Sequence, residues 1–349
     1  MKLKDFKNIA IIQTAFIGDV ALSFYLIQNI KNYHTNSKLF FVTTPVSSSL
    51  ASCINAIDNI ITFDKRNRHS GLKGIKNISS ILKELKIECI IAPHRSFRTA
   101  LVTFLSKPSF SVGFDKSSFS FLYSKRVKWR LSKHEIERNN SLLVVFDDTE
   151  AIVNKIPEIE INLDENDVNY VDNLLSKNEI LLAEKKIIGL APGSVWPTKR
   201  WKIEYYSELS IRLTNSGFNV IIIGSKEDFL LGEIIRKSNF KVLNLCGQTN
   251  LPQLLYLMKS LNVLVTNDSS PTHIAGLVKT PTITIFGPTS SKFGFSPIGE
   301  KDKIVELDDL NCRPCSIHGQ HKCPLKHHNC MGNIKPDSIF NLVQEIIRA

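Results

Sequence analysis

The stretch Ile187-Ile188-Gly189-Leu190-Ala191-Pro192-Gly193-Ser194-Val195-Trp196-Pro197-Thr198-Lys199-Arg200-Trp201 decides the fold. A continuous apolar run passes into a loop of proline, glycine, hydroxyls and cations, and a helical spacing follows at Ile203, Tyr206, Leu209 and Leu213. A strand apolar on both faces is buried on both, as in a parallel sheet covered by crossover helices. The same arrangement recurs at 9–13, 39–43, 60–63, 89–92, 220–223, 242–245, 263–266 and 282–286, with helix-length segments between and no short hairpins. Acidic residues, Pro157 and weak periodicity interrupt it over 146–166, before a new series begins at Lys185. The expectation is an α/β chain of two doubly wound domains, 1–165 and 166–349, facing across a cleft. Ile339, Leu342, Val343, Ile346 and Ile347, behind Pro336 and Asp337, predict a helix closing the second.

Composition agrees with two folded domains: 349 residues, 43% hydrophobic and 22% charged, exclude a disordered or fibrous chain. No run of about 18 apolar residues occurs, and the basic opening 1–7 has neither the apolar stretch nor the cleavage site of a signal peptide. The chain is therefore expected neither to span a membrane nor to be exported by that route. The net charge of +11 is lopsided: residues 1–150 hold 22 basic and 12 acidic side chains, and the remainder is nearly neutral. A basic half suits an anionic surface or ligand; nucleic acid, phospholipid and phosphorylated glycolipid all qualify, as does a merely solvated Lys-rich surface.

In doubly wound sheets ligands bind outside the carboxyl ends of the strands, so chemistry belongs in the strand-to-helix loops. The first, Thr14-Ala15-Phe16-Ile17-Gly18-Asp19-Val20, places Asp19 where a helix dipole favours the ionised carboxylate, as a general base or simply as an N-cap. The second offers backbone N–H groups, Ser194, Thr198 and the Lys199 ammonium to a diphosphate, without P-loop spacing; Lys199 on a solvated loop is the plainer alternative. The third, Asn267-Asp268-Ser269-Ser270-Pro271-Thr272-His273, sets Ser269, Ser270 and free amides at a helix start, with Asp268 to orient the loop or meet a sugar hydroxyl. His273 is either behind that site or a satisfied core histidine. Three such loops in two α/β halves point to a nucleotide-diphosphate site.

Cys53, Cys89 and Cys246 read as buried hydrophobes, whereas Cys312, Cys315, Cys323 and Cys330 crowd together with His318, His321, His327 and His328. An odd cysteine total without an export signal predicts reduced thiols. The first pair has C-x2-C spacing, so a structural zinc at Cys312, Cys315, Cys323 and Cys330 stands as a minor alternative to no metal, the second pair being spaced more widely.

With these motifs in hand, the sequence resembles the ADP-heptose:lipopolysaccharide heptosyltransferases of glycosyltransferase family 9, with GT-B architecture, nearly end to end. The resemblance is carried by Ile17-Gly18-Asp19-Val20, His134-Glu135-Ile136-Glu137-Arg138-Asn139, Ala191-Pro192-Gly193-Ser194 with Lys199-Arg200-Trp201, Asn267 through Ala275, and Phe286-Gly287-Pro288-Thr289. The cysteine-rich tail is similar to that of the branch that adds a heptose to the first heptose of the inner core. One departure is Ser270, where the family carries glycine after Asp-Thr or Asp-Ser.

The resemblance implies two Rossmann-like domains, the first binding the acceptor and the second the nucleotide sugar. It implies an inverting transfer of heptose from ADP-heptose to the heptosyl-Kdo-lipid A core, needing no cofactor. Asp19 would be the base and Lys199 would stabilise the leaving diphosphate. Ser194, Asp268, Ser269, Ser270 and His273 would line the donor; Asp228, with Glu227 as rival, would meet the ribose. His94, Arg95 and Arg98 in the basic half would hold the acidic acceptor. Lys125, Arg126, Lys128 and Arg130 around Trp129 would rest on anionic lipid, placing a cytoplasmic protein peripherally at the inner face of the inner membrane, unless they mark only a twisted exposed strand. No nucleic-acid motif appears. Two alternatives remain: a family 9 transferase with another nucleotide sugar or acceptor, and a non-catalytic nucleotide or sugar binder.

Overall fold

The computed structural model describes residues 1–180 and 185–349. The chain forms two compact units, Met1–Asn162 and Leu163–Ala349. In the first, β1 (Asn8–Ile12), β2 (Lys38–Thr43), β3 (Asn59–Thr62), β4 (Cys89–Ala92), β5 (Phe110–Phe114) and β6 (Lys125–Val127) make a sheet of order β3-β2-β1-β4-β5-β6. In the second, β7 (Ile187–Ala191), β8 (Asn219–Ile222), β9 (Leu243–Asn244), β10 (Val263–Asn267), β11 (Thr282–Ile285) and β12 (Lys303–Val305) run β12-β11-β10-β7-β8-β9. All pairings within both sheets are parallel. Each unit thus has the same topology, with its reversal between the first and fourth strands: Ile9 opposite Cys89, and Ile188 opposite Val263. Successive helices diverge there, leaving room at the strands' carboxyl ends.

Burial explains why the apolar runs are strands. The second unit packs Ile188, Leu190, Val263 and Val265 against Trp201, Tyr206 and Leu209, and the expected closing helix, Pro336–Arg348, inserts Ile339, Val343 and Ile346 into the same core. Proline in its first turn and Asp337 beside the free amides begin it as sequence rules require. In the first unit Ala10, Ile12, Phe40, Val42 and Ile90 meet Ile75, Ile78 and Leu82 of the helix Gly71–Glu84. Among the described residues no helix is long and apolar enough to cross a membrane.

Two strands, β5 and β12, were not expected from the sequence, whereas β6 is the exposed strand offered as the alternative reading of the basic segment around Trp129. Strands β6 and β12 are three-residue edges with exposed positions, too short to show periodicity. Strand β5 hides behind Ser111 and Gly113, yet is wholly buried. Its glycine has a steric cause: a Cβ at 113 would lie 2.5 Å from the ring of Tyr123, itself buried. Gly113→Ala is therefore expected to destabilise the first unit by about 1–3 kcal/mol, read as a lower urea midpoint with unchanged slope.

Candidate active site

In the second unit the arrangement is built on Asn267, the last residue of β10, which is fully buried. Its Oδ1 accepts the Trp201 N–H at 2.9 Å and the Tyr206 hydroxyl at 3.4 Å. Its Nδ2 donates to the carbonyls of Pro192 and Gly193, at 2.9 and 3.3 Å. One carboxamide thus fixes the loop after β7 and the start of the helix Ile203–Asn215 against the end of β10.

Asp268 comes next, and its carboxylate receives the Lys199 ammonium at 2.6 Å and the Thr289 hydroxyl at 2.7 Å. Lys199 and Asp268 are 12% and 9% exposed, so the ammonium is held by a carboxylate rather than waving in solvent. The solvated-loop alternative for Lys199 is therefore excluded. Ser269 and Ser270 open the helix Ser270–Leu277, both partly exposed, with Pro271 in the first turn; the Ser269 hydroxyl turns back to the Asn267 carbonyl at 3.3 Å. His273 is buried on that helix with its ring 6.2 Å from Phe295.

Ser194 is anchored through its carbonyl by Arg200 Nε and Nη2, at 2.9 and 2.7 Å. Asp228 accepts from the Ser225 N–H and hydroxyl at 3.0 and 2.8 Å. A Cβ on Gly193 would lie 2.4 Å from the Asp228 carboxyl, which places Asp228 against the Ser194 loop, whereas its rival Glu227 is exposed.

The cysteine-rich tail lies against the Lys199 loop. The Thr198 hydroxyl donates to the Gln320 carbonyl at 2.7 Å and accepts its N–H at 2.9 Å, while His328 Nε2 sits 2.7 Å from the Thr198 carbonyl. Gly319 has φ +95° and a Cβ there would meet the Lys199 stem at 2.9 Å, so the tail passes as close as glycine allows. The Arg313 guanidinium, between Cys312 and Cys315, binds the carbonyls of Gly287, Leu307 and Thr289 and, at 2.8 Å, Glu306. The zinc alternative gains no support. Among the described residues no group of three or more His, Cys, Asp or Glu side chains is placed so that it could hold a metal ion, and Cys330 is buried in the apolar core beside Met331. Burial pushes the Cys330 thiol up to about 11.

In the first unit Asp19 follows β1 as the third residue of the helix Ile17–Tyr33, and Phe16, not Asp19, is the N-cap. The N-cap alternative thus fails, although the Asp19 carboxylate does take hydrogen bonds from the backbone of Phe16 and of Asp19 itself. Asp19 keeps some solvent access yet is hemmed in by protein, and this burial raises its carboxyl to about 6. The backbone hydrogen bonds, Arg138 and Arg95 act in the opposite direction. Arg138 Nε pairs with Glu135 Oε2 at 2.6 Å, both nearly inaccessible. Burial raises the Glu135 carboxyl and Arg138 opposes it. The guanidinium groups of Arg95 and Arg138 lie 4.3 and 5.0 Å from the Trp129 ring centroid.

His94 Nδ1 is 2.9 Å from the Thr14 hydroxyl and 3.0 Å from that of Thr99, and burial, with Lys65 and Arg95 near, lowers it to about 4. It is neutral at pH 7 and braces the β1 loop against the helix Phe97–Ser106. The Lys65 ammonium donates to the Thr14 carbonyl and hydroxyl. Arg98 is partly exposed over Phe97.

Sequence reasoning missed Lys65, Asn267, Thr289 and the Glu135–Arg138 pair as members of these arrangements. Glu135, Arg138, Asn267 and Thr289 all lie inside quoted motifs, and charged or amide groups within buried stretches were the available signal; Lys65 carried none.

Residues 77–326 match the profile of glycosyltransferase family 9 (heptosyltransferase). The chain belongs to that family. It is therefore a glycosyltransferase, with the two parallel sheets of the GT-B fold class. It is 28% identical over 341 residues to lipooligosaccharide heptosyltransferase 2 of Campylobacter jejuni, covering 95% of this chain and 96% of that one. It is 24% identical to lipopolysaccharide heptosyltransferase 2 of Escherichia coli over 90% of each. Among solved structures, the ADP-heptose heptosyltransferase II of E. coli superposes with a TM-score of 0.79 at 20% identity, over 97% of this chain and 98% of that one. A family 9 transferase from Veillonella parvula gives 0.87 at 19%, over 99% and 98%.

Asn267→Ala is expected to cost about 2–4 kcal/mol in urea unfolding, because it leaves the buried Trp201 N–H and Pro192 carbonyl without partners.

Proposed function

We propose that this transferase moves a heptose from ADP-heptose to the heptosyl-Kdo-lipid A inner core of lipopolysaccharide. The acceptor hydroxyl attacks the anomeric carbon, its proton passes to Asp19, and ADP leaves. The observation that carries the reading is the Lys199–Asp268 pair beside the start of the helix Ser270–Leu277. A cation held by Asp268 two residues before a helix start suits a diphosphate that gains charge as the bond to the sugar breaks. Positive charge already fixed before reaction costs no reorganisation, and the reading calls for no resident metal.

Asp228 and Ser194 are assigned to the nucleoside side of the donor, Ser269 and Ser270 to the diphosphate and sugar, and His273 to the wall behind them. His94, through Thr14 and Thr99, sets the loop that carries Asp19, and Arg95 and Arg98 present guanidinium groups to acidic groups of the acceptor. A lipid-borne acceptor also implies a place of work: we assign the protein peripherally to the cytoplasmic face of the inner membrane.

The chemistry is tested by ADP release that requires both ADP-heptose and a heptose-bearing core acceptor, in the presence of EDTA; release with another nucleotide sugar but not with ADP-heptose sinks the donor assignment. Asp19→Asn should lower kcat by about 10²–10⁴ with the donor KM nearly unchanged, and Lys199→Ala by roughly 10²–10³.

The pH profile gives a separate check. A base raised to about 6 is charged above that pH and protonated below it, so kcat/KM should fall on the acid side with an apparent pKa near 6. Arg138 favours the ionised form, so Arg138→Gln should move that limb to higher pH; a limb that stays put removes Asp19 from the role of base.

A further inference from the structure

We propose that the face of the first unit formed by the turn Phe119–Phe121 and the basic segment around it docks onto an anionic lipid bilayer. This builds on the proposal of a lipid-borne acceptor, and assigns the contact to residues outside the reacting groups.

Charge is the first argument. Residues 93–133 hold nine Lys and Arg side chains against a single acid, Asp115, and so carry most of the net charge of the chain. Asp115 is occupied in accepting the Trp129 N–H at 2.8 Å. Lys107, Lys116, Lys125, Arg126, Lys128 and Arg130 are all exposed.

Apolar exposure is the second. Phe119 and Phe121 are 47% and 70% exposed, with their rings in an edge-to-face pair at 5.9 Å. The short 3₁₀ turn that bears them, Ser120–Leu122, packs on the helix Phe97–Ser106. On that helix Phe97 and Phe104, two turns apart and therefore on one side, are exposed as well. Aromatic side chains set among cations are the pattern of an interfacial anchor: rings enter the headgroup and acyl boundary while Lys and Arg stay with the phosphates.

The backbone supplies the third. Phe119 has φ +57°, in the left-handed region where a bulky residue is strained and glycine or asparagine is not. The turn thus holds a bulky aromatic ring at the surface, where it contributes little to the core, at a cost in backbone strain. A second copy of this chain does not fit as the occupant, because the same patch would meet its own charge. A bilayer rich in anionic headgroups complements it.

The experiment is sedimentation with vesicles of phosphatidylethanolamine and phosphatidylglycerol that contain no acceptor glycolipid. The wild type is expected to bind them, to release at high salt, and to bind phosphatidylcholine vesicles far more weakly. F119N should keep or raise the thermal midpoint, since it relieves the backbone, yet weaken binding. F119N/F121S should lose at least about tenfold, and K125E/R126E roughly as much or more. All three should transfer to a deacylated, soluble acceptor at the wild-type rate. Wild type that ignores acceptor-free anionic vesicles, variants that bind as tightly as wild type, or equal binding to phosphatidylcholine overturns the proposal. Vesicle binding with no transfer to the soluble acceptor supports the docking face and instead removes the heptosyltransferase reading.

Discussion

Each sheet contains one place where two neighbouring parallel strands send their following helices to opposite faces, and the groups discussed here are arranged around it. Between β1 and β4, and again between β7 and β10, the diverging helices leave the carboxyl ends uncovered. Backbone groups of the loops emerging there soon run out of strand partners, and side chains satisfy several of them. In the second unit Asn267 does this with a single carboxamide, binding the carbonyls of Pro192 and Gly193 and the amide of Trp201. In the first, the Lys65 ammonium serves the Thr14 carbonyl in this way, and His94 holds the Thr14 hydroxyl beside it. What the strands leave unpaired fixes the loops, and the fixed loops hold Asp19, Lys199 and Asp268 in place.

The sequence was legible where one physical signal dominated. Runs such as 89–92 and 187–191 are apolar on both faces because they are buried on both, and the structure has strands at those residues. Strand β5 was not legible, because Gly113 answers to the ring of Tyr123, a contact that no local pattern encodes. The candidate site divides in the same way. Lys199 and Asp268 stand in loops whose composition is unusual, and the structure pairs them. Glu135 and Arg138 sit three residues apart on a helix and look like an ordinary surface pair, but they are buried near Asp19. Only tertiary packing shows that. The cysteine spacing did not show what the tail touches: its residues meet Thr198 and Lys199 by hydrogen bonds and close approach, and Cys330 belongs to the core.

The proposed function accounts for the charge imbalance between the halves by what each unit would hold. A diphosphate can be met by helix amides and one ammonium, so the second unit needs little net charge, and Lys199 is itself balanced by Asp268. Asp19 faces the opposite problem. As the proposed base, its carboxylate would take a proton yet be ionised near neutral pH, and burial works against the ionised form. The backbone hydrogen bonds from Phe16 and Asp19 offset burial first, Arg138 and Arg95 add to them, and Glu135 pairs with Arg138. Both guanidinium groups also lie over the Trp129 ring, which holds them near that carboxylate. The cations of 107–130 are instead exposed, on the surface for which the docking role is proposed.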